Sequence, residues 1–307
     1  MNDNRKEKRN SRCGFIALVG RPNVGKSTLL NHFLRQKISI TSRKPQTTRH
    51  RILGVHSTSD TQFIYVDTPG LHHERKKTLN RLMNETVERV ISDVDVVFFI
   101  VERTAWTDED ELVLNALRNV NKPILLLINK VDQLQDKKRL LPHIEALSAK
   151  RHFVEIIPVS ALKGHNLEVI DEAVRQYLPA GKFLFPVDQV TDRSVRFLAA
   201  EMVREKIIRQ LGDELPYEAT VEIEKFQDQG RTLHVDALIL VEKAGQKQIL
   251  IGKDGSRLKL VGSAAREDME KAFEKKVMLK LWVKVRSGWA DNERALKSLG
   301  YTDYQSI

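Results

Sequence analysis

Residues Gly20-Arg21-Pro22-Asn23-Val24-Gly25-Lys26-Ser27 read G-x-x-x-x-G-K-S, with Thr28 following. This pattern restricts the fold more than any other stretch, because it works only where a strand feeds a tight turn and a helix leaves it. The flanks supply that context. Phe15 to Val19 (FIALV) is a short apolar run that suits a buried strand, and Ser27 to Lys37 reads as a helix. Gly20 and Gly25 let the backbone turn without a Cβ clash. The freed N–H groups then point at the β- and γ-phosphates of a nucleotide, helped by the positive end of the helix dipole. Lys26 is placed to reach the β/γ oxygens, and the Ser27 hydroxyl to hold Mg²⁺.

Alternation extends the pattern. Strand candidates fall at Phe15–Val19, Ile52–Ser57, Gln62–Asp67, Val94–Val101, Pro123–Asn129 and Val154–Ser160. Helix candidates lie between them, at about Gly25–Lys37, Leu79–Ser92, Glu109–Asn119, Lys137–Arg151 and Asn166–Leu178. Near-continuous apolar strands alternating with helices predict an α/β domain, a mostly parallel sheet with helices on both faces. Ile52–Ser57 and Gln62–Asp67 are too close for a crossover and read as a hairpin, giving one antiparallel edge strand. Ligands in such a sheet sit at the carboxyl ends of the strands.

The other motifs fall at those ends. Asp67-Thr68-Pro69-Gly70 closes the third strand candidate, about 40 residues after the glycine-rich loop. Its spacing suits an Asp that holds Mg²⁺ through water and a Gly whose N–H meets the γ-phosphate. Asn129-Lys130-Val131-Asp132 closes the fifth. The Asp132 carboxylate accepts two hydrogen bonds from guanine, at N1–H and the exocyclic amine. Adenine offers neither donor, and each unpaired buried partner costs roughly 1–3 kcal/mol. The base is therefore expected to be guanine. Ser160-Ala161-Leu162 closes the sixth candidate and would place a backbone N–H on guanine O6.

Between the first helix and the second strand, residues Ile40 to His50 (ITSRKPQTTRH) are polar, basic and broken by Pro45. A loop that orders only around Mg²⁺ and γ-phosphate has this composition. Thr48 is the preferred hydroxyl for Mg²⁺ because it directly precedes Arg49; Thr47 is the alternative, and spacing does not separate them. Leu71 to Lys77 (LHHERKK) reads as a second mobile loop, in which His72 and His73 are solvated rather than metal-ligating.

These motifs, in this order and spacing, resemble the translation-factor-like branch of small GTPases. Ras-like proteins place a water-orienting Gln after D-x-x-G; here that place is Leu71. The resemblance is thus to GTPases with a hydrophobic residue there, whose intrinsic hydrolysis is slow or assisted. In similar GTPases an Asn at the position of Asn23 coordinates K⁺ where an arginine finger would otherwise stand. Asn23 is then a K⁺ ligand, or a turn residue that only shapes the loop. Lys26, Thr48, Gly70 and Asn23 are the expected catalytic set.

Pro179-Ala180-Gly181 closes the first domain, and residues 180–194 read as a linker. Val195–Leu211 is helical. Tyr217–Phe226 and Leu233–Val241 alternate as strands across an Asp228-Gln229-Gly230 turn. Ile249-Leu250-Ile251-Gly252-Lys253-Asp254-Gly255-Ser256-Arg257-Leu258-Lys259 follows, then a long helix to about Lys275 and a strand, Val277–Val285. This order, with I-G-x-x-G before a basic helix, resembles an α+β type II KH domain, whose glycine loop clamps about four nucleotides. Gly252 and Gly255 would allow close approach of the sugar–phosphate chain. Lys253, Arg257 and Lys259 would contact phosphates, and Ile249 and Ile251 would line the apolar groove. Asp254 is discordant beside phosphates; it points away or tunes selectivity. Charge agrees: the chain carries net +10, and residues 245–286 hold 11 basic and 5 acidic residues, net +6.

Taken together, the chain resembles the Era/TrmE-like GTPase family in the branch that carries a C-terminal type II KH domain. Three segments beyond the generic motifs carry that likeness: QTTRHRILGV (46–55), LPYEATVEIE (215–224) and LWVKVRSGWADNERALKSLGY (281–301). The expected division is a basic disordered tail over 1–12, a GTPase domain over 13–179, the linker 180–194, the KH domain over 195–300 and a C-terminal tail 301–307. The resemblance implies a slow GTPase that uses GTP/GDP, Mg²⁺ and K⁺. It implies binding near the 3′ end of small-subunit (16S) ribosomal RNA, on the 30S particle, in subunit assembly. It further implies a monomer without a DNA partner, cytoplasmic, with a peripheral fraction at the inner membrane. Alternatives are an RNA chaperone or a membrane-recruited regulator in which hydrolysis counts for little. The single cysteine, Cys13, excludes an internal disulfide. No apolar stretch approaches ~20 residues, the length of a membrane-spanning helix.

Overall fold

The computed structural model describes residues 11–42, 44, 47–71, 77–211 and 219–301. The first domain is a six-stranded sheet built from β1 (Arg12–Val19), β2 (Ile52–Ser57), β3 (Thr61–Asp67), β4 (Val96–Glu102), β5 (Ile124–Asn129) and β6 (Glu155–Pro158). Its spatial order is β2-β3-β1-β4-β5-β6. All neighbours run parallel except β2, which pairs antiparallel with β3 through the expected hairpin. Five helices cover it: α1 (Lys26–Leu34), α2 (Thr78–Asp93), α3 (Asp108–Ala116), α4 (Leu140–Ser148) and α5 (Glu168–Arg175).

Alternate strand residues feed two cores. Ile16, Leu18, Phe98 and Leu127 pack with α1 and α5 on one face. Ala17, Val19, Phe99 and Leu126 pack with α2 and α3 on the other. Burial on both faces is why these strands read as unbroken apolar runs. The ends differ from the sequence reading where the backbone turns left-handed. Arg35 at φ 51° stops α1 before Lys37, and Asn166 at φ 57° delays α5. Residues 137–139 form a tight 3₁₀ turn ahead of α4. Strand β1 also begins inside the stretch assigned to the tail: Arg12 pairs with Thr61, and Ser11 donates to the Gly181 carbonyl at 2.8 Å. The rest of that tail, residues 1–10, and the end of the chain, residues 302–307, lie outside the described residues.

The stretch read as a linker follows the open edge of the sheet. Gln62 Oε1 accepts from the Leu184 and Phe185 amides at 2.9 and 3.0 Å. The Val55 amide donates to Val190 O at 2.8 Å, and Thr191 Oγ1 donates to Leu53 O at 2.7 Å. Val190 and Thr191 thereby occupy β2 groups that an exposed edge would leave unpaired, while residues 184 and 185 are held by the Gln62 side chain of β3.

The second domain contains α6 (Val195–Leu211), β7 (Ala219–Asp228), β8 (Thr232–Val241), α7 (Ala244–Ile251), α8 (Ser256–Phe273) and β9 (Lys276–Val285). The α-β-β-α-α-β order is the expected one; Tyr217 and Glu218, expected in β7, lie outside the described residues. Strand β8 pairs antiparallel with β7 and parallel with β9. Helices α6, α7 and α8 pack on one sheet face through Met202, Leu250, Val261 and Val235. The chain then returns to the first domain. Trp289, together with Ala295 and Leu296 of α9 (Glu293–Ser298), joins Leu79, Leu82 and Met83 of α2 in a separate core.

Candidate functional site

The glycine-rich loop leaves β1 and enters α1. Gly25 stands at φ 107°, and a Cβ there would meet Asn129 Nδ2 at 2.2 Å. Only glycine fits, because Asn129 fastens three motifs. Its Nδ2 donates to Val24 O at 2.7 Å, and its Oδ1 accepts from the amides of Lys130 at 2.8 Å and Ala161 at 2.9 Å. The Ala161 amide, a candidate for guanine O6, is thus engaged by Asn129. Ser160 is fully buried and Leu162 is exposed. Asp132 is exposed in a 3₁₀ turn over residues 131–133, where its carboxylate is open to a base.

Lys26 is buried and donates to the carbonyls of Gly20 at 2.9 Å and Arg21 at 3.0 Å. Burial lowers its ammonium pKa to about 8, against the attraction of Asp67. Ser27 Oγ donates to Asp67 Oδ2 at 2.7 Å and lies 2.8 Å from Thr48 Oγ1. Ser39 Oγ reaches the same carboxylate oxygen at 2.8 Å. The other oxygen, Asp67 Oδ1, is buried without a hydrogen-bond partner among the described residues. Burial raises the Asp67 pKa. An orphaned carboxylate oxygen beside two hydroxyls is a donor set that fits a hard divalent cation such as Mg²⁺. Thr47 faces elsewhere: its Oγ1 donates to Lys44 O at 2.7 Å. Of the two threonines that spacing left open, Thr48 is the one beside Ser27.

Thr68 Oγ1 donates to Leu18 O at 2.8 Å, fixing the turn through Pro69. A Cβ on Gly70 would meet Pro22 at 2.8 Å, so the two loops touch there. Leu71 is 2% exposed and packs in the core under α2. Asn23 takes a left-handed φ of 65°. His72 and His73, with most of the second loop, lie outside the described residues.

Two acids at this site were missed in the sequence. Glu102, at the carboxyl end of β4, pairs with Arg21 at 3.2 Å and Lys130 at 3.0 Å, bracing the phosphate loop against the base-reading loop. Burial alone would raise the Glu102 pKa; Lys130, Arg21 and Arg103 hold it below the usual range. Asp110 receives Arg21 Nε at 3.2 Å and also closes a capping box with Thr107. The T-x-x-D spacing of Thr107 and Asp110 is that of a helix cap, and nothing in it points to Arg21.

In the second domain, Gly252 and Gly255 take φ of 71° and 75°, and Asp254 is left-handed at 51°. A Cβ on Gly252 would meet Arg257 at 2.8 Å; one on Gly255 meets nothing within 4 Å. Lys253, Asp254, Arg257 and Lys259 are exposed. A cavity of about 380 Å³ opens beside them, lined by Gly255, Leu258, Lys259 and Gly262 from the loop and α8, and by Leu279 and Leu281 from β9. Ile249 and Ile251 are not in its lining; they are half-buried against the domain core. The apolar wall comes from Leu258 of α8 and from Leu279 and Leu281 of β9, a strand distant in sequence that the I-G-x-x-G pattern could not reveal.

The loop that carries Thr48 is gripped by the second domain. Glu205 Oε1 accepts from the Thr41 amide at 3.0 Å, and Arg209 donates to Thr41 O at 2.9 Å. Arg204 donates to Thr47 O, and Arg49 donates to Ala219 O at 2.9 Å. The His50 ring stacks on Tyr301 at 4.3 Å, and burial lowers its pKa to about 4.

A doubly covered sheet with these four loops at its carboxyl ends, followed by an αββααβ domain with a glycine loop, defines a P-loop GTPase joined to a KH domain. A family model described as a 50S ribosome-binding GTPase matches residues 15–130, and one described as a KH domain matches residues 214–290. GTPase Era of Marinobacter nauticus is 61% identical, covering 98% of both chains. GTPase Era of Azotobacter vinelandii is 59% identical over 97% of this chain and 99% of its own. The crystal structure of an Aquifex aeolicus Era variant bound to GDP and aluminium fluoride matches at a TM-score of 0.90 and 38% identity, over 94% of this chain and 99% of that one. Era in complex with MgGDPNP and nucleotides 1506–1542 of 16S ribosomal RNA matches equally, at 0.90 and 38%, over 95% and 99%. The chain belongs to the Era family and is a GTPase. No helix among the described residues is long and apolar enough to cross a membrane.

Proposed function

We propose that the chain is a GTP-driven switch that grips 16S ribosomal RNA near its 3′ end through the KH domain, during assembly of the 30S subunit. The observation that carries this reading is the likeness, over 95% of the chain, to Era holding MgGDPNP and 16S nucleotides 1506–1542. The second support is the grip of α6 on the loop that carries Thr48, through Glu205, Arg204 and Arg209. Whatever moves Thr48 must move or break those contacts.

In this reading Ser27, Thr48 and Asp67 hold Mg²⁺, which when bound neutralises charge on the β- and γ-phosphates. Residues 20–28 cradle the phosphates, and Lys26 turns its ammonium from its own loop carbonyls to the β/γ oxygens. The Gly70 amide meets the γ-phosphate, and Thr68, Pro69 and Leu71 shape that turn. Asp132 reads guanine, held in place by Asn129 and Lys130, with the 160–162 turn over the base edge. Leu71 lies in the core and orients no water, so unassisted hydrolysis is slow; Asn23 would hold K⁺, which would supply positive charge where an arginine finger otherwise stands. Gly252 and Gly255 admit the RNA backbone, Lys253, Arg257 and Lys259 pair with phosphates, and Asp254 tunes selectivity. Ile249 and Ile251 support the groove from behind.

The working division is a GTPase domain over 13–179 and a KH domain over 195–300. The chain acts as a monomer in the cytoplasm, with a peripheral fraction at the inner membrane and no DNA partner. The test is reciprocal: RNA affinity is measured with GTP analogue and with GDP, and nucleotide affinity with and without RNA. Equal values in both directions sink the switch, even if both sites bind. Lys26→Ala should abolish nucleotide binding, and a Na⁺/K⁺ comparison of turnover tests Asn23.

A further inference from the structure

Strand β9 has two sides. Val277, Leu279, Leu281 and Val283 turn toward the helices and the groove. Lys276, Met278, Lys280, Trp282 and Lys284 alternate with them and point to the opposite face of the sheet. That row is open: Met278 is 46% and Trp282 36% exposed, and the three lysines are exposed. No ion pair to another described residue ties up Lys276, Lys280 or Lys284.

The register grades the charge across this face. Beside Met278, Lys280 and Trp282 stand His234, Asp236 and Leu238 of β8, and Glu222 of β7 lies beyond Leu238. Lys225 of β7 lies beyond Asp236, so acid and base are mixed on the β7 side, and the unmixed basic charge runs along the free edge of β9. A polyanion is drawn to that edge. Cation and apolar side chains alternate at about 6.6 Å, twice the rise of a strand. That interleaving leaves no contiguous apolar patch of the kind a protein partner buries. It does match a single strand of nucleic acid, which presents phosphates and base faces in turn.

We propose that this row is a second RNA-binding surface. A single-stranded segment continuous with the one in the glycine-loop groove crosses the free edge of β9. It stacks a base on Trp282 and lays phosphates along Lys276, Lys280 and Lys284. The inference rests on the RNA-binding reading above, and it predicts that RNA longer than the groove gains affinity from the outer face.

The probe is 16S RNA of nucleotides 1506–1542, with truncations down to the shortest fragment the unaltered chain still binds. Trp282→Ala should weaken the full fragment about 5- to 150-fold, the range for loss of one base–aromatic stack, and leave the shortest fragment unchanged. Trp282→Phe, which keeps a ring, should restore most of the loss. The triple change of Lys276, Lys280 and Lys284 to Gln should flatten the salt dependence of binding by about 2 in log–log slope. Full-fragment binding that ignores Trp282→Ala overturns the proposal, as does an equal loss for both fragments. If Lys253→Ala with Arg257→Ala weakens binding while the outer row has no effect, only this proposal falls. If neither set matters, the RNA reading falls with it.

Discussion

The nucleotide site and the RNA face both use glycine, lysine and a helix start, yet they are built in opposite ways. At the nucleotide site the phosphate-binding elements are locked by their neighbours. Gly25 lies where a Cβ would strike Asn129, Gly70 where one would strike Pro22, and Lys26 is buried against its own loop carbonyls. At the RNA face, Gly255 has open space where a Cβ would point, and Lys253 and Lys259 stand in solvent. The first site is preorganised for one small ligand. The second is an electrostatic surface that can accept a chain of varied sequence, with shape supplied by β9.

That contrast is sharpest in glycine. Gly25→Ala combines a disfavoured φ, roughly 1–3 kcal/mol, with disruption of the buried Asn129–Val24 bond, roughly 1–3 kcal/mol more. Nucleotide affinity of the folded variant should drop about a thousandfold, read by titration with a fluorescent GDP. Gly255→Ala meets no atom, so only left-handed strain of about 1–2 kcal/mol remains, and RNA affinity should drop about 5- to 30-fold. Similar losses at the two positions would erase the distinction.

Asp132→Asn tests locking at the base. Asn donates where guanine also donates, so GTP affinity should drop about a hundredfold, given roughly 1–3 kcal/mol per lost partner. Xanthosine triphosphate, which offers an acceptor at that edge, should then bind better than GTP. Unchanged base preference in competition binding would remove Asp132 from the site.

On the open face, Lys253→Ala with Arg257→Ala should act through charge alone. The log–log salt slope should lessen by about 1.4, two single-strand phosphate contacts at about 0.7 each, with GTP affinity untouched. A loss that ignores salt would mean the two side chains shape the loop rather than pair with phosphate.

The smallest effect is in pH. Lys26 titrates at about 8 because it is buried. Below that value it is already charged for the phosphates; above it, binding must take up a proton. GTP affinity should therefore fall about fourfold between pH 7 and 8.5, with proton uptake visible by calorimetry in buffers of different ionisation enthalpy. A flat profile would show that Lys26 stays charged despite its burial.

Much of this was written locally. The phosphate loop, D-x-x-G and N-K-x-D are contiguous, and their places at strand ends follow from alternation of apolar runs with helices. The β2–β3 hairpin followed from a connection too short for a crossover. Other features depend on distant partners. Glu102 looked like any strand-end acid, yet it braces Arg21 against Lys130. Ile249, Ile251, Leu279 and Leu281 are all half-buried against the domain core, and the cavity beside the glycine loop is lined by the last two.

By itself, the sequence determined the chemistry: a triphosphate cradle, a guanine reader, a leucine where a glutamine would orient water, and a glycine loop in a basic stretch. These are short patterns whose function resides in adjacent backbone groups. Tertiary structure decided which threonine faces Ser27, because Thr47 is held away by Lys44 and Arg204. It also decided that the loop bearing Thr48 is held by α6, and that the chain after β9 returns to α2. Such contacts join residues far apart along the chain. They arise from packing two separately folded cores against each other, and no local pattern encodes where those cores meet.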